Sequence, residues 1–319
     1  GAAALDAGLA VGDIDADAFP LPRLSGVLSR VGDELRDGRG FALLRGFPVE
    51  DCGRESLEAM YWGLCSHVGV GLTQNSDAGL IHYVTEGPLR PRQGKRGVGF
   101  PRKAPLHIDL TDVVSLLCVR QAPDDPPSWV ASSTAVYNAL VERRSELLPC
   151  AARGFPWDRM DEHGAGESPA SEYRVPVFSR IGDTVSAQYN RNWISCAAER
   201  SGRGFTDEET ALLDFIDEAA HAARFEFSFG AGDVQFCSNY TVFHGRQGHA
   251  VEADPDRRRL LMRIWLDVPG FRDFADEAIV RYGNGRHGQI GWTAAELRSG
   301  ANRLPRRRRP DGAIDLAPS

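Results

Sequence analysis

From Arg257 to Leu266 the chain reads Arg-Arg-Arg-Leu-Leu-Met-Arg-Ile-Trp-Leu, and its two faces differ when it is read with period two. Arg259, Leu261, Arg263 and Trp265 fall on one side. Arg258, Leu260, Met262, Ile264 and Leu266 fall on the other, which is almost wholly apolar. Such a stretch is a strand that packs its apolar face on a core layer, so its arginine and tryptophan face must look into a cavity, a second core layer or solvent. Further short apolar or β-branched runs predict strands at 41–45, 113–119, 174–178, 185–189, 225–229, 233–237 and 260–268. Short strands separated by long insertions predict a mainly β fold with flanking helices (α+β), a double-stranded β-helix or jelly roll with helices packed outside.

A second pattern lies upstream, where Pro105-Leu106-His107-Ile108-Asp109 leads into the apolar run that ends near Val119. Side chains alternate in extended backbone, so His107 and Asp109 point one way and Ile108 the other. A lone His-x-Asp also arises by chance on solvated loops. Here it stands at the mouth of a core strand, and a second histidine, His244, follows Asn239-Tyr240-Thr241-Val242-Phe243. Two imidazoles and one carboxylate form the facial set that holds non-haem Fe(II) and leaves coordination positions open for a co-substrate and oxygen. An arginine fork in the same cavity suits a carboxylate, which it grips with two parallel charge-assisted hydrogen bonds. On a surface strand the same arginines would simply be wet.

The rest of the sequence narrows the partners. A formal charge of −7 leaves no electrostatic footprint for nucleic acid. The exception, Arg306-Arg307-Arg308-Arg309 between Pro305 and Pro310, reads as part of a flexible, solvated basic tail from about residue 303. With 319 residues the chain suffices for one sizeable β-rich domain over 1–319, and two domains are not required. No run of eighteen apolar residues predicts a membrane span, and the N-terminal residues lack the charged and apolar regions of a secretory leader. Six cysteines without a Cys-x-x-Cys pair read as reduced thiols, hence a cytoplasmic protein. Helices are expected at 22–37, 56–68, 134–146 and 206–225, the last opened by a capping box of Thr206 and Glu209. The Gly/Pro/Arg-rich stretch 79–99 is either an active-site lid or a plain surface connection.

Together these segments resemble the taurine dioxygenase (TauD/TfdA) family of Fe(II)- and 2-oxoglutarate-dependent oxygenases over about residues 40–269. The carriers are the His-x-Asp strand, the Gly-Asp-Val-Gln-Phe turn with its following Asn239, the distal His244 and the Arg-Arg-x-x-x-x-Arg strand. The resemblance implies a clavaminate synthase-like jelly-roll core with His107, Asp109 and His244 as iron ligands. It implies Arg259 as partner of the far carboxylate of 2-oxoglutarate. The loop between His244 and Arg259 exceeds the shortest family examples by a few residues, which leaves Arg258 and Arg263 as rivals. Ser128, in Asp125-Pro126-Pro127-Ser128-Trp129, stands where the family carries a hydroxyl against the co-substrate, with two prolines here in place of glycines.

The implied activity consumes O2 and 2-oxoglutarate, releases succinate and CO2, and oxidises a substrate C–H bond, most simply by hydroxylation; desaturation and cyclisation use the same cofactors. Asp109 argues against halogenation, because related halogenases carry a small residue there. Arg263, Arg191 and Trp265, with Trp193, are implied around the primary substrate. They suggest a small to medium anionic or amino-acid-like molecule, such as a natural-product intermediate. A homo-oligomer stays open. The rival class is a metal-binding cupin-like protein without redox chemistry, which would have no use for a buried carboxylate-binding arginine.

Overall fold

The computed structural model describes residues 8–50, 52–75, 77–85, 103–163, 168–275 and 291–300, together with the backbone of 306–308 and 314–316. In chain order it forms α1 (Ser25–Arg36), β1 (Phe41–Leu44), α2 (Arg54–Ser66), β2 (Val70–Leu72), β3 (His82–Thr85), β4 (Ala104–His107), β5 (Val113–Arg120) and β6 (Ser128–Ser132). There follow α3 (Ser133–Arg143), α4 (Leu148–Arg153), β7 (Phe178–Ile181), β8 (Thr184–Ala187), α5 (Arg191–Arg200), α6 (Asp207–Ala222) and β9 (Phe225–Phe227). The C-terminal part holds β10 (Val234–Ser238), β11 (Val242–Arg246), β12 (Leu260–Asp267), α7 (Ala294–Ser299), β13 (Arg306–Arg308) and β14 (Ile314–Leu316).

The strands make two antiparallel sheets packed face to face, a double-stranded β-helix. The major sheet runs β1-β10-β5-β12-β2, with β3 on the same flank of β12 as β2. The minor sheet runs β4-β11-β6-β9. Alternation along each strand sorts the core into layers. Met262, Ile264 and Leu266 of β12 turn outward and pack with Leu28, Val31 and Leu57 of α1 and α2. Leu106, Ile108, Trp129 and Phe243 turn outward from the minor sheet onto Val136, Leu140, Leu212 and Ile216 of α3 and α6. Between the sheets Trp265, Val114 and Cys237 meet Val130 and Val242. Of the three destinations open to the Arg/Trp face of β12, two are realised: the layer between the sheets and a cavity that opens into it.

Local signals explain the helix ends. Thr206 Oγ1 accepts from Glu209 N–H while the Glu209 carboxylate accepts from Thr206 N–H, so the capping box starts α6 as expected. The strand expected at 174–178 is shortened to one beginning at Phe178; Val175 only bridges to Phe155. Pro176 lies between them and has no N–H to give a ladder. All six cysteines are free. The arginine run expected in a solvated tail has extended backbone at Arg306–Arg308, paired antiparallel with Ile314–Leu316. The stretch expected as lid or connection lies, beyond Thr85, outside the described residues. Among the described residues no helix is long and apolar enough to cross a membrane.

Candidate metal centre

His107 ends β4, and Asp109 follows it by one residue of extended chain pinned by Ile108 N–H donating to Tyr189 O at 2.9 Å. His244 on β11 is the direct cross-strand partner of His107, and the ring centroids are 4.6 Å apart. Gly245 permits this approach, since a Cβ there would lie 2.7 Å from the Ala104 carbonyl oxygen. The ligand-capable atoms of His107, Asp109 and His244 all lie within 4.8 Å of one another.

The donor chemistry fits a divalent cation. His107 Nδ1 lies 2.7 Å from the Pro105 carbonyl, which makes Nδ1 the protonated nitrogen and leaves the Nε2 lone pair for a metal. Neither nitrogen of the buried His244 ring has a hydrogen-bond partner among the described residues; Nε2 lies 3.7 Å from Asp109 Oδ2, beyond hydrogen-bond reach. Burial, His107 and Arg263 outweigh Asp109 and pull the His244 imidazole down to about 3, so it is neutral. Burial alone would raise the Asp109 carboxyl, but Arg263, the two histidines and Trp265 hold it well below the usual range. It is therefore an anion. Cys237 faces the same interior, and burial pushes its thiol up to about 12, which removes it as a competing thiolate.

Asp109 is held from across the sandwich. Arg263 Nη1 donates to its two oxygens at 3.3 and 3.2 Å, Trp265 Nε1 donates to Oδ2 at 3.1 Å, and Asn239 Oδ1 accepts the Asp109 backbone N–H at 2.9 Å. Arg263 Nε in turn donates to Gln74 Oε1 at 2.8 Å. Arg263 and Trp265, expected beside a substrate, are thus engaged with the ligand set. Trp265 is fully buried and Arg263 lines the cavity. Arg191 also lines it, with its guanidinium on Asp214 and Asp217 at 3.0 and 3.3 Å.

The cavity above the three ligands measures about 430 Å³, room for a small molecule. Arg259 and Ser128 also line it. Arg259 is 4 % exposed, and its Nε donates to the neutral Gln121 Oε1 at 2.9 Å; no carboxylate pairs with it among the described residues. Burial and the charge of Arg246 pull its guanidinium down to about 10, which leaves it a cation at neutral pH. Arg258 turns the other way, onto the carbonyls of Glu252 and Ala253. Sequence reasoning passed over Gln74, Gln121 and Arg246. Period two on β11 points to Arg246, which shares the inward face of His244; the two glutamines have no local signature.

Comparison with known proteins agrees with this architecture. The chain is 29% identical over 274 residues to FR-33289 synthase of Streptomyces rubellomurinus (strain ATCC 31215), covering 84% of this chain and 80% of that protein. It is 25% identical over 274 residues to the taurine hydroxylase-like protein SAT17 of Stachybotrys chartarum, covering 82% and 70%. Among solved structures, asparagine oxygenase with Fe(II), 2S,3S-3-hydroxyasparagine and succinate superposes with a TM-score of 0.63 at 16% identity over 86% of each chain. The non-haem iron oxygenase OrfP with Fe, succinate and (3R,4R)-dihydroxy-L-Arg gives 0.57 at 18% identity over 88% and 91%; at such identities these two share the fold. The sequence model of one family spans residues 6–265, and by that match the chain belongs to the taurine catabolism dioxygenase TauD, TfdA family.

Proposed function

We propose that this chain, as one oxygenase domain, is a non-haem Fe(II)- and 2-oxoglutarate-dependent dioxygenase that hydroxylates a C–H bond of a small to medium, anionic or amino-acid-like substrate in natural-product biosynthesis. His107, Asp109 and His244 hold the iron, and Arg259 with Ser128 holds the far end of 2-oxoglutarate. The observation that carries the reading is Arg259: a buried guanidinium without a carboxylate partner among the described residues, in the same cavity as the three ligands. A metal-binding protein without redox chemistry has no use for it. Hydroxylation is favoured over desaturation or cyclisation by the hydroxylated amino acids and succinate in the related asparagine oxygenase and OrfP structures.

Iron with 2-oxoglutarate and oxygen supplies the oxidation, and succinate and CO2 leave. The protein supplies position and exclusion. His107 and His244 present neutral lone pairs, and Asp109 adds one negative charge. Arg263 and Trp265 fix the Asp109 carboxylate so that its geometry does not drift during turnover. Val84, Leu116 and Leu261 give the cavity apolar walls beside the ligands.

The decisive experiment adds Fe(II) and 2-oxoglutarate to the protein without oxygen. A weak visible metal-to-ligand charge-transfer band is expected, absent in His244→Ala. No band in the unsubstituted protein, or an equal band in His244→Ala, would overturn the reading.

A further inference from the structure

Most of the cavity lining stands on the two sheets or within two residues of their strands, and that part includes the three ligand candidates, Arg259 and Ser128. Five lining residues come from elsewhere: Met160, in the loop between α4 and β7, and Asn190, Arg191, Asn192 and Trp193 at the start of α5. They are the part of the wall left for the primary substrate. Two of the five side chains are already engaged. Arg191 rests on Asp214 and Asp217, and Asn190 Oδ1 accepts the Trp193 N–H at 3.2 Å as the cap of α5. Met160 and Trp193 are the large apolar side chains of this part.

The backbone at Met160 is strained. Met160 has a φ of 52° and Asp161 one of 62°, two consecutive non-glycine residues in the left-handed region, where a side chain crowds its own backbone. Such outliers persist where the surrounding structure over-determines them, and they cluster at ligand sites. Here the surroundings do so. Met160 N–H donates to Asp158 Oδ1 at 2.6 Å, and the buried Asp158 has its Oδ2 2.6 Å from Arg200 Nε. Arg200 Nη2 donates to Asp161 Oδ1 at 2.7 Å, so one guanidinium at the end of α5 ties the carboxylates on either side of Met160. At the other end of that helix the Trp193 carbonyl accepts the Asp158 N–H at 3.1 Å, and Trp157 meets the Trp193 ring edge-on at 5.7 Å. Met160 and Trp193 are therefore set in one frame by α5.

We propose that Met160, together with Trp193, is a specificity-determining residue for the primary substrate and seats an unbranched hydrocarbon segment of that molecule. A thioether on an unbranched, polarizable side chain follows the contour of an alkyl chain. A polar group set against it would lose water without a matching partner. The inference rests on the oxygenase reading above and narrows its substrate to a small acid or amino acid with a straight alkyl portion.

The test uses two pairs of probes on the anaerobic protein loaded with Fe(II) and 2-oxoglutarate: L-norleucine against L-glutamine, and hexanoate against glutaramate. Within each pair the lengths nearly match, and one member ends in hydrocarbon where the other ends in an amide. Equilibrium dialysis should show the hydrocarbon member of at least one pair bound about tenfold more tightly. Met160→Gln should remove that preference, and Met160→Leu should keep it. Met160→Ala, a second variant should Met160→Gln fail to fold, should weaken binding of the hydrocarbon member and leave that of the amide member. Equal binding within both pairs, tighter binding of the amides, or no binding of any of the four probes overturns the proposal. So does a preference that survives both Met160→Gln and Met160→Ala. If the unsubstituted protein forms no charge-transfer band with Fe(II) and 2-oxoglutarate, the oxygenase reading has failed and this one with it; a normal band without the hydrocarbon preference removes the Met160 assignment alone.

Discussion

Arg263 Nη1 lies 3.2 Å from Asp109 Oδ2, so a carboxylate in the metal-ligand set on the minor-sheet side is held by a guanidinium on the major sheet. Both side chains are buried. Removing one partner of such a pair leaves a buried charge uncompensated, at a cost of about 3–5 kcal/mol. Partners of metal ligands also set metal affinity, typically by ~10–100-fold. Arg263→Ala is therefore expected to lower Fe(II) affinity by that factor, read by metal titration. Intact Fe(II) affinity with loss of substrate binding alone would return Arg263 to the role of substrate contact.

Arg259 makes a different prediction, because among the described residues its guanidinium has the neutral Gln121 as its hydrogen-bond partner and no carboxylate. Losing its contact with a buried carboxylate costs ~2–5 kcal/mol, roughly thirty-fold to several-thousand-fold in 2-oxoglutarate affinity. Arg259→Ala should show this loss in an anaerobic titration. Arg258→Ala, whose side chain sits on loop carbonyls, should show little. A reversed pattern would mean that Arg258 is the co-substrate residue.

Gly245 is expected to control the ligand geometry without touching a ligand. Adding a methyl group at a site where the Ala104 oxygen lies 2.7 Å away forces β11 off β4, and overpacking of this kind costs about 1–3 kcal/mol. Gly245→Ala should lower both the melting temperature and Fe(II) occupancy, because His107 and His244 face each other across that strand pair. Full iron occupancy in the variant would show that the strands tolerate the extra carbon.

Glu209 carries a pH prediction far from the metal. Burial would raise its carboxyl, yet the Thr206 N–H, Arg174 and Arg203 together hold it below its ordinary value. A carboxylate with a depressed folded value stabilises fully above its unfolded pKa of ~4.3 and loses that contribution as pH falls through the folded value. Glu209→Gln should thus cost on the order of 1 kcal/mol near neutral pH, and the gap should shrink in acid. Urea melts at the two pH values measure it; a constant gap would show that charge plays no part.

How much was legible in the sequence follows from which interactions are local. His107 and Asp109 could be read as co-facing because two-residue alternation is a property of one strand, and Thr206 with Glu209 because a capping box spans four residues. The Arg/Trp face of β12 was legible as a face but not in its partners. Arg263 meets Asp109 and Gln74 at separations of 154 and 189 residues, which no periodicity encodes. For the same reason Arg191, expected near a substrate, was not seen to rest on Asp214 and Asp217 of the neighbouring helix. Arg246 was within reach of the alternation rule applied once more beyond His244.

The three ligand candidates stand on the minor-sheet side, whereas Arg259 and Arg263 approach from the major sheet. A filled site is therefore a rivet through both sheets, and its binding energy becomes resistance to unfolding. For a ligand at a hundred times its dissociation constant that gain is about 2.7 kcal/mol. A melting curve of the Fe(II)- and 2-oxoglutarate-loaded protein then doubles as a detector for the missing substrate: candidates can be sorted by the heat the sandwich withstands, before any product is known.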